Sequence, residues 1–249
     1  MSEKTAAKAK DAKPKSGEVW HGEDWAGAIV RKAKPATMTP VSRIYNLAKA
    51  VEHLCGARIA GDLVECGVWR GGSLMTMALA LLHCGDRSRR LYGFDTFAGM
   101  TEAGPQDQLI GGPHFDEIIA KGTPGQKELY TARAPLELVR QNMAATGFPK
   151  ERLELVVGDV LNTLPGEAPE RIALLRLDTD FYASTRHELE TLYPRLVEGD
   201  ILLIDDYGCF RGSKEATDEY FAMLEQPPLL RAIDNHARAG IKPPAPLPY

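Results

Sequence analysis

Two pairs of aspartates stand directly after apolar runs in the second half of the chain. Residues 172–180 read IALLRLDTD, and residues 201–206 read ILLIDD. Apolar runs of this length predict strands that are buried on both faces, and period-two geometry directs Asp178 and Asp180 to the same side. If the two strands are neighbours in a parallel sheet, their acids meet at its carboxyl edge, where open α/β sheets bind ligands.

The side chains of Asp178, Asp180, Asp205 and Asp206 offer hard oxygen ligands. Because like charges repel, a cluster of these carboxylates needs a cation. No His or Cys stands beside them, so Mg²⁺, Mn²⁺ or Ca²⁺ fits the predicted site better than zinc. The alternative is that these acids cap helices or lie in loops, as aspartates after strands commonly do.

A glycine-bearing turn lies in the first half of the chain. Residues 61–73 read GDLVECGVWRGGS, which predicts a strand at 63–66, a sharp turn and a helix over 73–83. Glycines let the backbone turn closely against a ligand, and the free N–H groups at a helix start can face it. The turn is neither a P-loop nor a GxGxxG motif. We interpret it as a cofactor loop.

Two further predicted strands also end at acids. The strand at 90–94 ends at Asp95, about thirty residues after Glu65, where a doubly wound fold places the acid that binds a ribose diol. The strand at 152–157 is followed by Asp159, which either meets an adenine edge or caps the next turn. Acids at successive strand ends therefore predict an adenosine ligand.

The composition limits the partners that the chain can attract. It has 249 residues, with 30 Lys and Arg against 34 Asp and Glu and a net charge of −4. This balance gives no overall basic field for nucleic acid or an acidic membrane, so we expect a small-molecule partner. No apolar stretch reaches the roughly twenty residues of a membrane span. The four cysteines show neither metal-site nor disulfide-scaffold spacing, so we expect reduced thiols and a cytoplasmic protein.

The remaining sequence predicts a tail and one large domain. Residues 1–16 are rich in Lys and Ala and predict a disordered tail, whereas residues 17–249 predict a single α/β domain. Within it, residues 17–58 predict an N-terminal helical cap. Residues 97–133 contain many Gly and Pro without a sustained period, so we interpret them as a lid or substrate loop.

Three local predictions concern single residues and short elements. His114 and Phe115 are candidate contact residues of the lid loop. Ser184 is expected to N-cap a helix that runs to Val197. Residues 229–233 predict a sixth strand.

Six sequence motifs occur in the order found in one enzyme family. They are ECGVWRGGS, DTF with a following Gly, GDVLNTLP, RLDTDFYAST, LYPRLVEGD and DDYG…GSKEATDEYF. Over residues 37–240 they closely resemble the macrocin and mycinamicin sugar O-methyltransferases, class I S-adenosylmethionine-dependent enzymes that include the aminocoumarin noviose O-methyltransferase. The resemblance implies a Rossmann-like, doubly wound, mostly parallel seven-stranded sheet with helices on both faces. We also expect a homo-oligomer.

The same resemblance implies how the acids of the second half are used. A divalent metal, usually Mg²⁺, is held in that family by aspartates that match Asp178, Asp205 and Asp206. The acid that matches Asp180 is the proposed base. The acceptor is a hydroxylated, glycosylated small molecule.

The resemblance also implies the cofactor contacts. Glu65 and Gly67 face the methionyl part of S-adenosyl-L-methionine, Asp95 takes the ribose hydroxyls, and Asp159 lies near the adenine. Further contacts are expected from neighbouring motif positions, namely Trp69, Arg70, Ser73, Thr96, Val160 and Asp178.

Three alternative functions make different predictions. The first alternative is a metal-dependent methyltransferase of catechol-like acceptors. Such enzymes carry a Lys directly after the Asp-x-Asp that matches Asp178 and Asp180, whereas this chain has Phe181. A nucleotide-dependent oxidoreductase requires GxGxxG, which the turn after Glu65 lacks. A non-catalytic adenosine-binding protein has no reason to retain three acids that destabilise one another without metal.

Overall fold

A seven-stranded sheet forms the centre of the computed structural model, which describes residues 24–244. The predicted tail at 1–16 and the start of the predicted cap lie outside the described residues. The strands are β1 (Asp62–Cys66), β2 (Leu91–Asp95), β3 (Leu153–Val157), β4 (Ile172–Leu177), β5 (Leu196–Ile204), β6 (Arg231–Ala232) and β7 (Arg238–Ile241).

The strand order is β3-β2-β1-β4-β5-β7-β6. Strands β1 to β5 are parallel, while β7 runs antiparallel to both β5 and β6. This confirms the predicted Rossmann-like, mostly parallel sheet and the expected pairing of β4 with β5. The carboxyl ends of five parallel strands therefore lie along one edge.

Helices cover both faces of the sheet. They are α1 (Asp24–Ala33), α2 (Val41–Gly56), α3 (Gly72–His83), α4 (Phe115–Lys121), α5 (Pro124–Thr131), α6 (Leu136–Ala144), α7 (Val160–Thr163), α8 (Tyr182–Leu192) and α9 (Arg211–Ala222). Apolar residues of α1, α2, α3 and α6 pack on one face, and those of α7, α8 and α9 pack on the other. All six residues of β4 are buried, as its apolar sequence predicts for a strand covered on both sides.

The N-terminal helices α1 and α2 pack against α3 and form part of the core. Ile44, Val51 and Leu54 of α2 are buried, and the Trp25 ring stacks on His83 with centroids 4.3 Å apart. These helices therefore do more than cover the site.

The prediction that Ser184 caps the next helix is wrong. Helix α8 begins at Tyr182, and the Ser184 hydroxyl donates to the Phe181 carbonyl, 3.1 Å away, inside the first turn. The helix ends at Leu192, because Pro194 follows, and Val197 belongs to β5.

The segment 97–133 is not a loop without regular structure, because it contains α4 and α5. Thr123 and Gln126 form a capping box at the start of α5, with Pro124 in its first turn. Helices of seven and eight residues are too short to give a clear period in the sequence. The predicted strand at 229–233 is also shorter, comprising Arg231–Ala232.

Two further features are the lengths of the helices and the state of the cysteines. Between residues 24 and 244, no helix is long and apolar enough to span a membrane. The four cysteines are all free thiols.

Candidate active site

A cavity of about 790 Å³ opens at the carboxyl edge of the parallel strands, within the size range of small-molecule sites. Its wall contains most of the predicted site residues, namely Gly67, Trp69, Ser73, Asp95, Thr96, Asp159, Val160, Asp178, Asp180, Asp205 and Asp206. The predicted contacts Glu65 and Arg70 do not line it, and neither do His114 and Phe115 of the segment 97–133.

Asp95 organises the glycine turn, residues 67–69, that follows β1. Its Oδ2 accepts from the backbone N–H groups of Val68 at 2.7 Å and Trp69 at 2.9 Å. Its Oδ1 accepts from the N–H of Phe97 at 2.7 Å. Each carboxylate oxygen has two lone pairs, so Asp95 can hold this turn and still accept from a ligand hydroxyl.

Gly67 is required by a close approach between β1 and β4. A Cβ at this position would lie 1.9 Å from the carbonyl oxygen of Asp178, and the backbone has a φ of 85°. Only glycine combines this conformation with this contact. The glycine turn is thereby fixed beside the first acid of the β4 end.

Two other predicted cofactor residues have structural partners. The Asp159 side chain accepts from the N–H of Leu161 at 2.9 Å and also lines the cavity. Asp159 therefore caps the start of α7, which is one of the two roles that the sequence left open for it. The Arg70 guanidinium lies over the Trp69 ring, 4.6 Å from its centroid.

The acidic cluster consists of Asp178, Asp205 and Asp206, whose nearest ligand oxygens all lie within 4.8 Å of one another. Burial and neighbouring carboxylates raise the pKa of Asp178 and Asp206 well above the usual range. Asp206 is also within hydrogen-bonding reach of Asp180. Burial, together with the charges of Asp178 and Asp205, raises the pKa of Asp180 to about 7.

Asp178 and Asp180 both face the cavity, as predicted, but strand geometry is not the reason. Strand β4 ends at Leu177, so the acids stand in the turn that follows. Asp180 has a φ of 66°, a left-handed conformation that is uncommon for a residue other than glycine. This turn, rather than a pleated strand, brings the two carboxylates together.

Arg176 lies at the centre of the acidic network, and its side chain is only 2% exposed. Its Nη1 contacts Glu65 Oε1 at 2.5 Å and Asp178 Oδ2 at 2.7 Å, and its Nη2 contacts Asp205 Oδ1 at 2.9 Å. Glu65 Oε2 is buried without a hydrogen-bond partner, and burial raises the pKa of Glu65 to about 7. The guanidinium therefore bridges the ends of β1, β4 and β5.

A second arginine reaches the network from helix α2. Arg43 Nη1 contacts Asp205 Oδ2 at 2.7 Å, and its Nε contacts Asp234 Oδ2 at 2.6 Å. The connected groups thus include two guanidinium groups and six carboxyl groups, those of Glu65, Asp178, Asp180, Asp205, Asp206 and Asp234. The carboxyl groups of this network therefore outnumber its guanidinium groups.

A family model described as Macrocin-O-methyltransferase (TylF) matches residues 1–239. The chain belongs to this macrocin O-methyltransferase family. It is therefore an O-methyltransferase, and the cavity at the carboxyl edge is its candidate active site.

Individual relatives of this methyltransferase act in the same reaction class. It is 34% identical over 210 residues to the 8-demethyl-8-(2,3-dimethoxy-alpha-L-rhamnosyl)-tetracenomycin-C 4'-O-methyltransferase of Streptomyces olivaceus, covering 84% of this chain and 74% of the relative. It is 32% identical over 213 residues to the demethyldecarbamoylnovobiocin O-methyltransferase of Streptomyces niveus, covering 86% and 76%. The solved structure of the O-methyltransferase NovP superposes with a TM-score of 0.73 at 31% identity, covering 84% of this chain and 83% of that one.

The methyltransferase site also contains residues that the sequence analysis missed. Arg176, Arg43 and Asp234 take part in the acidic network, yet none was a predicted site residue. Arg176 had a visible signal, because it is the one charged residue in the otherwise apolar run 172–177 and such a residue needs a buried partner. Arg43 and Asp234 gave no comparable signal.

Proposed function

We propose that this methyltransferase moves the methyl group of S-adenosylmethionine to a hydroxyl of a glycosylated small molecule, assisted by a divalent cation. The observation that carries the proposal is the convergence of the acidic cluster and Asp180 in the same cavity as the glycine turn. The tetracenomycin and novobiocin relatives are both O-methyltransferases of natural products, which supports this acceptor class.

The donor would occupy the part of the cavity beside the glycine turn. Asp95 Oδ1 accepts from Phe97 and keeps one lone pair for a ribose hydroxyl. Asp159 and Val160 line the wall where the adenine is expected. Glu65 is buried behind this wall and bound to Arg176, so its direct contact with the donor stays a prediction.

The residues present fit a divalent cation. Asp178, Asp205 and Asp206 offer oxygen atoms only, Asp206 Oδ2 is buried without a hydrogen-bond partner, and the surrounding carboxyl groups outnumber the guanidinium groups. Hard cations such as Mg²⁺ prefer this donor set. When bound, such a cation lowers the pKa of a hydroxyl that it coordinates.

Asp180 is the proposed general base. Methyl transfer to an alcohol requires removal of the hydroxyl proton. Burial raises the pKa of Asp180 to about 7 without a cation, and with a cation nearby the pKa is lower, so the group is an ionised carboxylate that can accept this proton at neutral pH. The Lys of catechol-type enzymes has no counterpart here, because Phe181 is buried in a cluster with Phe115 and Phe210. The proton therefore passes to a carboxylate in this proposal.

The test uses the acceptors named for the relatives. The full chain is incubated with S-adenosylmethionine, Mg²⁺ and either demethyldecarbamoylnovobiocin or the demethylated tetracenomycin rhamnoside, with and without EDTA, and products are analysed by mass spectrometry. We expect the mass of one added methylene unit, and loss of the reaction with EDTA. Failure to bind S-adenosylhomocysteine in calorimetry refutes the donor, and an EDTA-resistant rate refutes the metal.

A further inference from the structure

Asp107 is a buried acid that neither the sequence motifs nor the proposed mechanism uses. It lies between β2 and α4, and its side chain is shielded from solvent, with a relative exposure of 1%. Its Oδ1 accepts from the backbone N–H of Tyr182 at 2.8 Å, and its Oδ2 accepts from the N–H of Gly104 at 2.7 Å. Tyr182 is the first residue of α8 and stands two positions after Asp180.

The bond to Tyr182 replaces a missing helix cap. The first N–H groups of a helix have no partner within the helix, and a side-chain oxygen of the N-cap residue usually accepts from them. At α8 the N-cap residue is Phe181, which makes no such bond. Asp107 supplies the acceptor from 75 positions earlier in the sequence, and its negative charge suits the positive end of the helix.

The surroundings of Asp107 leave room for this contact and little else. A Cβ at Gly212 of α9 would lie 2.0 Å from Asp107 Oδ1 and 2.7 Å from the Tyr182 nitrogen. The absence of a side chain at Gly212 is thus what lets the carboxylate reach the start of α8.

Residues 107–110, which we name the strap, also bind the turn after β5. The N–H of Arg211 donates to the Gln108 carbonyl at 2.9 Å, and the N–H of Ile110 donates to the Cys209 carbonyl at 2.9 Å. The strap therefore holds the two segments that follow the acid-bearing ends of β4 and β5.

We propose that Asp107 is a positioning residue that fixes the turn carrying Asp180, so that the Asp180 carboxylate faces the acceptor hydroxyl. The catalytic part of this inference rests on the proposed function. The left-handed backbone of Asp180 persists only if its surroundings hold it. The chain just after it is held at two points, the buried Phe181, whose N–H donates to the Thr179 carbonyl at 2.7 Å, and the N–H of Tyr182, which Asp107 binds. Without the Asp107 oxygen the second of these points is lost and the turn can shift, and a small displacement of a reacting group is costly.

The test compares Asp107→Ala and Asp107→Asn with the control Asp116→Asn. Asp116 lies in the same segment with a side chain that is mostly exposed. Hydrogen–deuterium exchange of the peptide containing Tyr182 is measured on the full chain. We expect faster exchange at this amide in Asp107→Ala, an intermediate rate in Asp107→Asn, and no change in Asp116→Asn. Unchanged protection in Asp107→Ala overturns the proposal.

Kinetics separate positioning from general stability. In Asp107→Ala we expect kcat to fall by about 10- to 100-fold, while KM for S-adenosylmethionine and the Kd of S-adenosylhomocysteine change by less than about threefold. Asp107→Asn keeps one oxygen for the Tyr182 N–H and should recover most of the rate. A wild-type kcat in Asp107→Ala, or equal losses in kcat and cofactor affinity, overturns the proposal. If the wild type methylates no acceptor, the proposed function fails, while the exchange experiment still decides whether Asp107 holds the turn.

Discussion

The glycine turn and the acidic cluster use the same residue type, an aspartate after a parallel strand, in opposite ways. Asp95 accepts three backbone N–H groups, so its charge is compensated by the chain around it. Asp206 instead faces other carboxyl groups, and Asp178 shares the Arg176 guanidinium with Glu65 and Asp205, so that burial and neighbouring acids raise the pKa of both. The comparison shows that the number of N–H donors around an aspartate at this edge decides its role. With enough donors the carboxylate stabilises a turn of the fold, and without them it can bind a ligand.

Removing a ligand from the acidic cluster should have the largest effect. We expect Asp178→Asn to lower the rate of methylation by about 10³-fold or more, since a catalytic metal contributes several kcal/mol. The thermal stabilisation by Mg²⁺ should also disappear. Binding of S-adenosylhomocysteine, measured by calorimetry, should stay within a few-fold, because Asn keeps the shape of the Asp178 side chain and the expected contacts of Asp95 lie on another strand. Asp218→Asn, a surface control on α9, should change neither the rate nor the stabilisation by Mg²⁺. Equal losses in the two variants would contradict the assignment of Asp178 as a metal ligand.

Asp180→Asn separates the base from the metal site. It should lower kcat by about 10²- to 10⁴-fold, as loss of a general base does, while stabilisation by Mg²⁺ survives. In the wild type the rate should fall as the pH drops below the pKa of the base, which is about 7 without a cation and lower with one bound, because a nearby positive charge favours the carboxylate. This inflection should be absent from the pH profile of Asp180→Asn. A fully active variant refutes the role.

Arg176→Met tests what holds the acids together. It leaves buried carboxyl groups without their counter-charge, and we expect a loss of about 3–5 kcal/mol in the free energy of unfolding by urea with EDTA present. The control Arg186→Met removes ion pairs with the partly exposed Glu190 and Glu219 and should cost less than about 1 kcal/mol. Similar values for both variants would show that the network contributes little.

Asp95→Ala tests the glycine turn, and its effect should be smaller than that of Arg176→Met. We expect binding of S-adenosylhomocysteine to lose about 1.5–3 kcal/mol, the value of a hydrogen bond to a charged group. The melting temperature should also fall without any ligand, because Val68 and Trp69 lose their acceptor. A variant with unchanged calorimetry and melting would show that Asp95 has neither role.

Asp206→Asn in EDTA gives the smallest and most discriminating effect. A carboxyl group whose pKa is raised by folding stabilises the native state less as pH rises. We therefore expect Asp206→Asn to melt at the same or a slightly higher temperature than the wild type at about pH 8, with the gain vanishing near pH 4. Asp95→Asn, its matched counterpart, should melt lower at both. A clear loss in Asp206→Asn would contradict the comparison.

The sequence predicted the sheet and the acids at its edge because both depend on local patterns. Apolar runs identify β4 and β5, and the acids follow directly after each run in the chain. The partnership of Arg176 with Glu65 and Asp205 depends on which strands are neighbours, and that of Arg43 with Asp205 joins positions 162 residues apart. Asp107 likewise caps α8 through a contact that no local motif records. Tertiary contacts of this kind leave no pattern in the local sequence.

The contact between Arg43 and Asp205 has a consequence for protein engineering. Exchanging N-terminal helices between relatives is an obvious way to seek a new acceptor, since Thr37, Met38 and Pro40 line the cavity. In this chain, however, a crossover after α2 would also replace the arginine that joins Asp205 to Asp234. Chimeras should therefore be designed with Arg43 and Asp234 inherited from the same parent, so that acceptor choice is changed without altering the charge balance of the catalytic half.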